Sequence, residues 1–326
     1  MHYSSPGIKL GRSLVAAASL ISSLVILPSA HAGTVGITLT RVGNPGNKAD
    51  TTGYGSVATA YSISVYDVTL TQYTKFLNAV ARTDKYALYD LSLGTGDHIK
   101  GISRTGADGA YKYAVIGNGA NPVTYVSWLD AARFCNWLQN GEPETGVENS
   151  ATTEDGAYAL NGDTTTGKEM PTAAAKWWIP TEDQWYKAAY YDPTLDNNKG
   201  GYWLYPTRSD VLPTNDYKAP AVANQANFIN AADEFSVTQS AVEVGTQNYL
   251  TPVGSFTKSA SYYGTFDQGG DVYQWNDAQI GAARGVRGGS WDLDSSYLRS
   301  LTRDSRQPTG ENPGVGFRVA SSYLPN

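Results

Sequence analysis

Cysteine and histidine are nearly absent from this chain of 326 residues, and their scarcity excludes several kinds of site. The one cysteine, Cys135, has no second cysteine in the chain with which to form a disulfide. Of the three histidines, His2 and His31 lie in the first 32 residues, which leaves His98 for the rest. Zincin-type zinc sites and the two-histidine iron sites of oxygenases need several imidazoles, so one copy of this chain cannot supply them.

Positive charge is also in short supply. The chain carries 24 Lys and Arg against 30 Asp and Glu, a formal net charge of −6. No cluster of basic residues offsets this balance, and an acidic surface repels phosphate backbones and anionic lipids. We therefore expect no nucleic-acid partner.

The sequence has only one long apolar run, from Leu14 to about Leu27. Two basic residues precede it, and the small residues Ala30 and Ala32 follow it. This pattern predicts a secretory signal peptide over residues 1–32, cleaved after Ala32, since the run is shorter than the ~20 residues of a spanning helix. The prediction is an exported protein, periplasmic or extracellular, with no stable membrane anchor and a net charge of −6 − 2 = −8 after cleavage.

Three segments have the apolar spacing of amphipathic helices, and each begins with a capping box, in which a Ser or Thr pairs with the residue three positions on. The three boxes are Thr69 with Gln72, Ser127 with Asp130, and Thr181 with Gln184. Gly141 should end the second helix and Pro193 the third.

The remainder of the chain should be mostly short strands and irregular loops. Its 34 glycines and 23 tyrosines are typical of a loop-rich domain with many aromatic side chains, and helical patterning stops after Tyr191. Residues 140–171 contain Gly, Thr and acidic residues with little periodicity, which indicates a long surface loop within one domain rather than a linker. We expect one domain over residues 33–326.

Six sequence blocks, in order, resemble the sulfatase-modifying-factor family, which contains the formylglycine-generating enzymes. The blocks are DVTLTQYTKFLNAV, NPVTYVSWLDAARFCNWLQNG, WWIPTEDQWYKAAYY, YGTFDQGGDVYQWND, RGVRGGSW and NPGVGFRVA. They span a core of about residues 54–320. The resemblance implies a single α+β domain with much irregular backbone, similar to the C-type lectin fold.

The resemblance also locates the positions of the family's two copper-binding catalytic cysteines. They are the third and eighth residues after Ser290, which here are Leu293 and Leu298. Leucine has no lone pair for Cu(I), so the family's oxidation of a substrate cysteine is not expected, and neither copper nor iron is expected as a cofactor. Cys135, on a predicted helix, should be a core residue, and His98 cannot supply the three histidines of the family's iron-dependent branch.

Several polar and aromatic residues around the lost cysteines form a candidate pocket. Ser290 and Tyr297 match family residues, Tyr273 replaces a tryptophan, and Trp291 follows the serine. The candidate pocket also includes three arginines: Arg287, Arg303 and Arg306. The arginines could hold loops together in buried or half-buried ion pairs, or they could bind a peptide or an acidic ligand.

The family also binds calcium, and the resemblance places a candidate site at Asp267, Gly270, Val272 and Gln274. Gln274 offers an oxygen where the family has a carboxylate, so calcium is the one metal expected as a candidate cofactor. A weaker second site would start at Asn227 and Phe228, although no carboxylate occurs at its later positions. The alternative for the first motif is a Gly-rich turn whose aspartates accept backbone N–H groups.

Three functions fit these observations. The favoured one is an exported, non-catalytic module that binds a peptide, protein or glycan or builds a surface or matrix layer. The second is a family enzyme with a different oxidative or maturation activity that uses the Ser/Tyr/Arg pocket. The third is a lectin-like glycan-binding module, which rests on the fold analogy alone.

Overall fold

The computed structural model describes residues 1–3 and 35–324. The predicted signal peptide and its cleavage site therefore lie almost wholly outside the described residues, and export remains a prediction. The chain divides into Met1–Gly33 and one compact unit, Thr34–Asn326. Among the described residues, no helix combines the length and apolar character needed to cross a bilayer.

Three helices begin where their capping boxes predict. They are α1 (Leu70–Val80), α3 (Trp128–Gln139) and α4 (Glu182–Tyr190). In each, the cap hydroxyl accepts a backbone hydrogen bond from the third helical residue, whose side chain accepts the cap N–H in return. Two further segments of four residues are α2 (Ser92–Thr95) and α5 (Leu195–Asn198), the latter with left-handed backbone at Asp196 and Asn197. Local hydrogen bonding therefore fixes the start of each long helix.

Helix α3 differs from the amphipathic helix predicted for it, because every residue from Trp128 to Leu138 is buried. Its polar side chains are satisfied inside the protein: Arg133 pairs with Glu154 at 2.7 Å, and the Asn136 amide donates to the Tyr158 carbonyl at 2.9 Å. Both partners lie in segment 140–171. That segment has no helix and no strand in its interior, as predicted, but it covers α3 as well as facing solvent.

Within residues 35–324 the strands are short and form two four-stranded sheets and two pairs. Sheet A has the order β1-β2-β12-β5, sheet B the order β10-β9-β8-β11, and the pairs are β3-β4 and β6-β7. The strands are β1 (Leu39–Val42), β2 (Tyr61–Ser64), β3 (Ile102–Thr105), β4 (Lys112–Val115), β5 (Trp177–Trp178), β6 (Tyr191–Asp192), β7 (Gly201–Tyr202), β8 (Tyr273–Ile280), β9 (Ala283–Arg287), β10 (Asp304–Arg306), β11 (Val315–Gly316) and β12 (Ala320–Ser321).

The main core lies between helices α1 and α3 and sheet B. Phe76 and Phe134 pack edge to face with ring centroids 5.3 Å apart, and Phe317 packs on Phe134 at 5.3 Å. Trp275 of β8 is fully buried in the same cluster and donates to the Val126 carbonyl at 2.9 Å. Strand β8 therefore has a fixed position, and its first two residues, Tyr273 and Gln274, belong to the two candidate sites.

Candidate functional site

A two-glycine turn after β9 sets the geometry of the candidate pocket. Gly288 and Gly289 have φ angles of 108° and 76°, which favour glycine. A Cβ on Gly288 would lie 2.8 Å from the Gln268 carbonyl oxygen, and one on Gly289 would lie 2.9 Å from Leu298. The turn therefore needs both glycines, and it brings Ser290 beside β8.

The two leucines at the family's cysteine positions have different surroundings. Leu298 ends a 3-10 helix (Ser295–Leu298) and is fully buried in a cluster with Tyr205, Ala226 and Phe228. Leu293 is partly buried and packs against the main core. Neither side chain offers a metal ligand, so the copper centre of the family enzymes has no counterpart at these two positions.

Beside Leu293 lies a polar cavity of about 150 Å³, which we call the Tyr273 pocket. Its lining is Tyr273, Ser290, Asp292, Leu293, Arg306, Asn312, Pro313, Gly314 and Val315. Ser290 Oγ donates to Asp292 Oδ1 at 2.5 Å, and Arg306 pairs with Asp304 at 2.6 Å while its guanidinium lies 5.5 Å from the Tyr273 ring. The pocket therefore places a carboxylate and a guanidinium in one small space.

The hydroxyl of Tyr273 is the unusual group in this pocket. It is buried without a hydrogen-bond partner, and burial raises its pKa well above the ordinary value for tyrosine. Tyr297 packs its ring edge-on to Tyr273 at 6.4 Å and does not line the cavity. A buried hydroxyl without a partner costs free energy of about 1–3 kcal/mol, so a ligand atom that bonded to it would recover that cost.

The other residues proposed for the pocket lie elsewhere. Trp291 stacks on Tyr249 at 5.4 Å in a separate apolar cluster. Arg287 and Arg303 both pair with Glu182, each at 2.7 Å, at the start of α4. Of the arginines suggested by sequence, the structure thus brings Arg306 alone to the cavity, and it places the other two in an ion-pair network.

The first calcium motif forms a tight, buried turn. Asp267 has a φ of 58°, its carboxylate accepts from the Gly254 N–H at 2.6 Å, and burial raises its pKa to about 6. Gln274 is fully buried, and its amide oxygen accepts from Trp185 Nε1 and from Arg318 Nε, both at 2.6 Å. Two of the motif's side chains are thus committed to protein hydrogen bonds.

The residues proposed for a second calcium site are likewise hydrogen-bonded within the protein. Asn227 Nδ2 donates to the Asp271 carboxylate at 2.8 Å, and the Asn227 carbonyl accepts from the Asp271 N–H at 2.8 Å. The Phe228 carbonyl accepts from Asn215 at 2.9 Å. Among the described residues, no group of three or more His, Cys, Asp or Glu is arranged to hold a metal ion.

Cys135 and His98 occupy separate places in the fold. Cys135 is fully buried on α3, and burial raises the pKa of its thiol well above the ordinary range. His98 packs edge-on against Tyr249 at 5.4 Å, and its Nε2 lies 3.6 Å from Glu243. Because the thiol is both enclosed and protonated, it is not available as a nucleophile or a metal ligand.

Sequence reasoning missed three residues that organise the sites: Glu182, Asp67 and Asn312. Glu182 was visible only as an acidic residue in the first turn of a helix. Asp67 pairs with Arg318 at 3.2 Å across 251 residues of sequence, a separation that no local pattern reveals. Asn312 precedes Pro313, and this dipeptide was the available signal for a turn at the edge of the pocket.

The comparison with protein families gives one match over nearly the whole described unit. Residues 37–323 match the sulfatase-modifying factor enzyme 1-like domain. The match includes both candidate sites and all three capped helices.

Several solved structures of low sequence identity are similar to this chain over most of its length. Treponema denticola variable protein 1 is 18% identical, with a TM-score of 0.50 over 89% of this chain and 98% of the other. CarF is 20% identical, with a TM-score of 0.49 over 89% and 100% of the two chains. PvdO from Pseudomonas aeruginosa is 17% identical, with a TM-score of 0.44 over 88% and 92%. With the family match, the likeness to the Treponema protein confirms the predicted α+β fold similar to C-type lectins.

Proposed function

The chain belongs to the sulfatase-modifying factor family, and from this premise we propose that it is an exported, non-catalytic binding protein. The Tyr273 pocket would be its ligand site, and a peptide group that carries a carboxylate would be its ligand. The observation that carries the proposal is the replacement of two thiolates by leucines, one of which, Leu293, lines a pocket that contains an unpartnered Tyr273 hydroxyl.

Loss of the thiolates removes the family's chemistry while leaving its cavity. Copper oxidation of a substrate cysteine needs soft sulfur ligands, and the side chains of Leu293 and Leu298 are hydrocarbon. The polar groups of the pocket do not depend on those positions: Ser290 is held by Asp292, and Arg306 is held by Asp304. A family member of this kind can bind a ligand without oxidising it.

The hydrogen-bonding groups of the pocket suit a peptide group that carries a carboxylate. Arg306 keeps about a third of its side chain exposed and presents donors that match a carboxylate. The Tyr273 hydroxyl supplies another donor, and the Asp292 carboxylate, which already accepts from Ser290, is an acceptor for a ligand N–H. A backbone segment that ends in, or is followed by, a carboxylate carries acceptors and an N–H donor of the matching kinds.

Calorimetric titration of the purified protein with N-acetylated acidic dipeptides and with neutral oligosaccharides tests the proposal. The dipeptides should bind, and Arg306→Met should weaken binding about ten- to a hundredfold, since a hydrogen bond to a charged group contributes about 1.5–3 kcal/mol. Arg41→Met, an exposed position on β1 of sheet A, is the matched control and should change nothing. Binding of oligosaccharides alone, or dipeptide binding that Arg306→Met leaves intact, would overturn the proposal.

A further inference from the structure

The side chain of Gln274 makes four hydrogen bonds inside the protein, which satisfies its whole amide. Its oxygen accepts from Trp185 Nε1 and Arg318 Nε, both at 2.6 Å. Its nitrogen donates to the Asp267 carbonyl at 2.6 Å and to Asp67 Oδ2 at 3.2 Å. The two donors and two acceptors around the amide fix its orientation. In the reverse orientation the NH₂ group would face the two donors and the oxygen would face the two acceptors.

Arg318 supplies the buried positive charge beside this amide. Its guanidinium donates to the carbonyls of Ser64 and Phe266 at 2.9 and 2.8 Å and to Asp67 Oδ1 at 3.2 Å. The side chain is fully buried. It therefore ties the end of β2, the turn before Asp267 and strand β8 to one cation.

This arrangement does not fit the calcium ion that the family resemblance implies at Asp267, Gly270, Val272 and Gln274. Calcium takes six to eight oxygen ligands, including carboxylates. Here the Gln274 oxygen is directed to Trp185 and Arg318, and its nitrogen, a donor, is the atom directed at Asp267. An ion beside Asp267 would face that NH₂ group and would add its charge next to a buried guanidinium.

We infer that the Gln274 amide and the Arg318 guanidinium together replace calcium as the structural cross-link of this turn, so that the domain is stable without the metal. The amide nitrogen supplies to the Asp267 carbonyl the positive partner that an ion would otherwise supply. A glutamate at position 274 could not do so, because its carboxylate has no donor and would lie next to Asp67. The uncharged glutamine is thus the residue that makes the metal unnecessary.

Thermal unfolding in EDTA and in excess Ca²⁺ tests the inference with three proteins: the unaltered chain, Gln274→Glu and Asp267→Ala. The unaltered chain should melt at the same temperature in both buffers. Gln274→Glu should melt several degrees lower in EDTA, because a carboxylate oxygen then takes the place of the amide nitrogen and faces Asp67 Oδ2 and the Asp267 carbonyl without donating to either. Both results use a readout that is independent of any ligand of the Tyr273 pocket.

Two outcomes would overturn the inference. One is a melting temperature of the unaltered chain that falls on chelation, returns with Ca²⁺ and loses this dependence in Asp267→Ala, which has no side-chain oxygen for the ion. The other is a Gln274→Glu variant that is as stable in EDTA as the unaltered chain. A calcium effect that Asp267→Ala leaves unchanged belongs to another part of the protein and supports the inference for this turn. If Gln274→Glu fails to fold in EDTA, the melting temperatures of the unaltered chain in EDTA and in Ca²⁺ still show whether this turn needs the metal.

Discussion

Glu182, in the first turn of α4, accepts hydrogen bonds from Arg287 of β9 at 2.8 Å and from Arg303 at 2.7 Å. Both guanidinium groups also lie over the Tyr54 ring, 4.7 and 5.4 Å from its centre. Arg287 is fully buried, whereas a third of the Arg303 side chain is exposed. One carboxylate therefore joins α4 to sheet B and to the chain that leads into β10.

The difference in exposure predicts different costs for removing the two arginines. Arg287→Met should lower the free energy of unfolding by about 1–3 kcal/mol, since Glu182 keeps Arg303 as a partner while the Ser300 and Thr302 carbonyls lose their buried donor. Arg303→Met should cost about 1 kcal/mol or less, because solvent screens an exposed pair. Urea unfolding followed by tryptophan fluorescence measures both, and equal costs would show that the two pairs are alike.

Cys135 should be unreactive in the native protein. The thiol is fully buried on α3, and burial holds its pKa well above the usual range, so no thiolate is present near neutral pH. A colorimetric thiol reagent should label no cysteine in buffer and one per chain in guanidinium chloride. Rapid labelling of the folded protein would contradict a purely structural role for this residue.

Acidification from pH 8 to pH 5 should stabilise the protein. Burial, followed by the neighbouring Asp84 charge, raises the pKa of Glu148 to about 7, and burial raises that of Asp84 to about 6. The folded chain therefore binds more protons than the unfolded chain between about pH 4 and 7, and stability falls as pH rises through that window. Below that window Asp163 and Asp192 make stability fall as the pH falls, because their pKa values are lowered in the fold.

The melting temperature at pH 5 and pH 8 measures this dependence. Glu148→Gln should flatten it, since a glutamine stays neutral in both states, whereas Glu144→Gln, a nearby glutamate in an exposed stretch, should leave it unchanged. A melting temperature that rises from pH 5 to pH 8 would contradict the assignment.

The parts of the fold that sequence predicted are those determined by local interactions. The helix starts at Thr69, Ser127 and Thr181 depend on residues three positions apart, so the printed pattern contains their cause. The family blocks likewise located Ser290 and the leucine pair. By contrast, the complete burial of α3 depends on partners in segment 140–171, which composition alone suggested to be a surface loop.

The candidate sites were less predictable because their partners are far apart in sequence. The Gln274 side chain contacts Trp185, 89 residues away in sequence, and Asp67, 207 residues away. From the motif alone Gln274 resembles a weakened metal ligand. The fold shows instead that its amide is fully hydrogen-bonded within the protein. Arg303 meets Glu182 across 121 residues, and nothing near either residue distinguishes an ion pair from a ligand site. Sequence identified the residue types, and tertiary contacts assigned their partners.

We expect this family member to lack the copper chemistry of the formylglycine-generating enzymes. Incubation of the purified protein with Cu(I), oxygen and a cysteine-containing sulfatase peptide, followed by mass spectrometry of the peptide and metal analysis of the protein, tests this expectation. No stoichiometric copper and no conversion of cysteine to formylglycine should be found, because Leu293 and Leu298 cannot replace two thiolates. Tight copper binding accompanied by turnover of the peptide would show that the chain retains this chemistry.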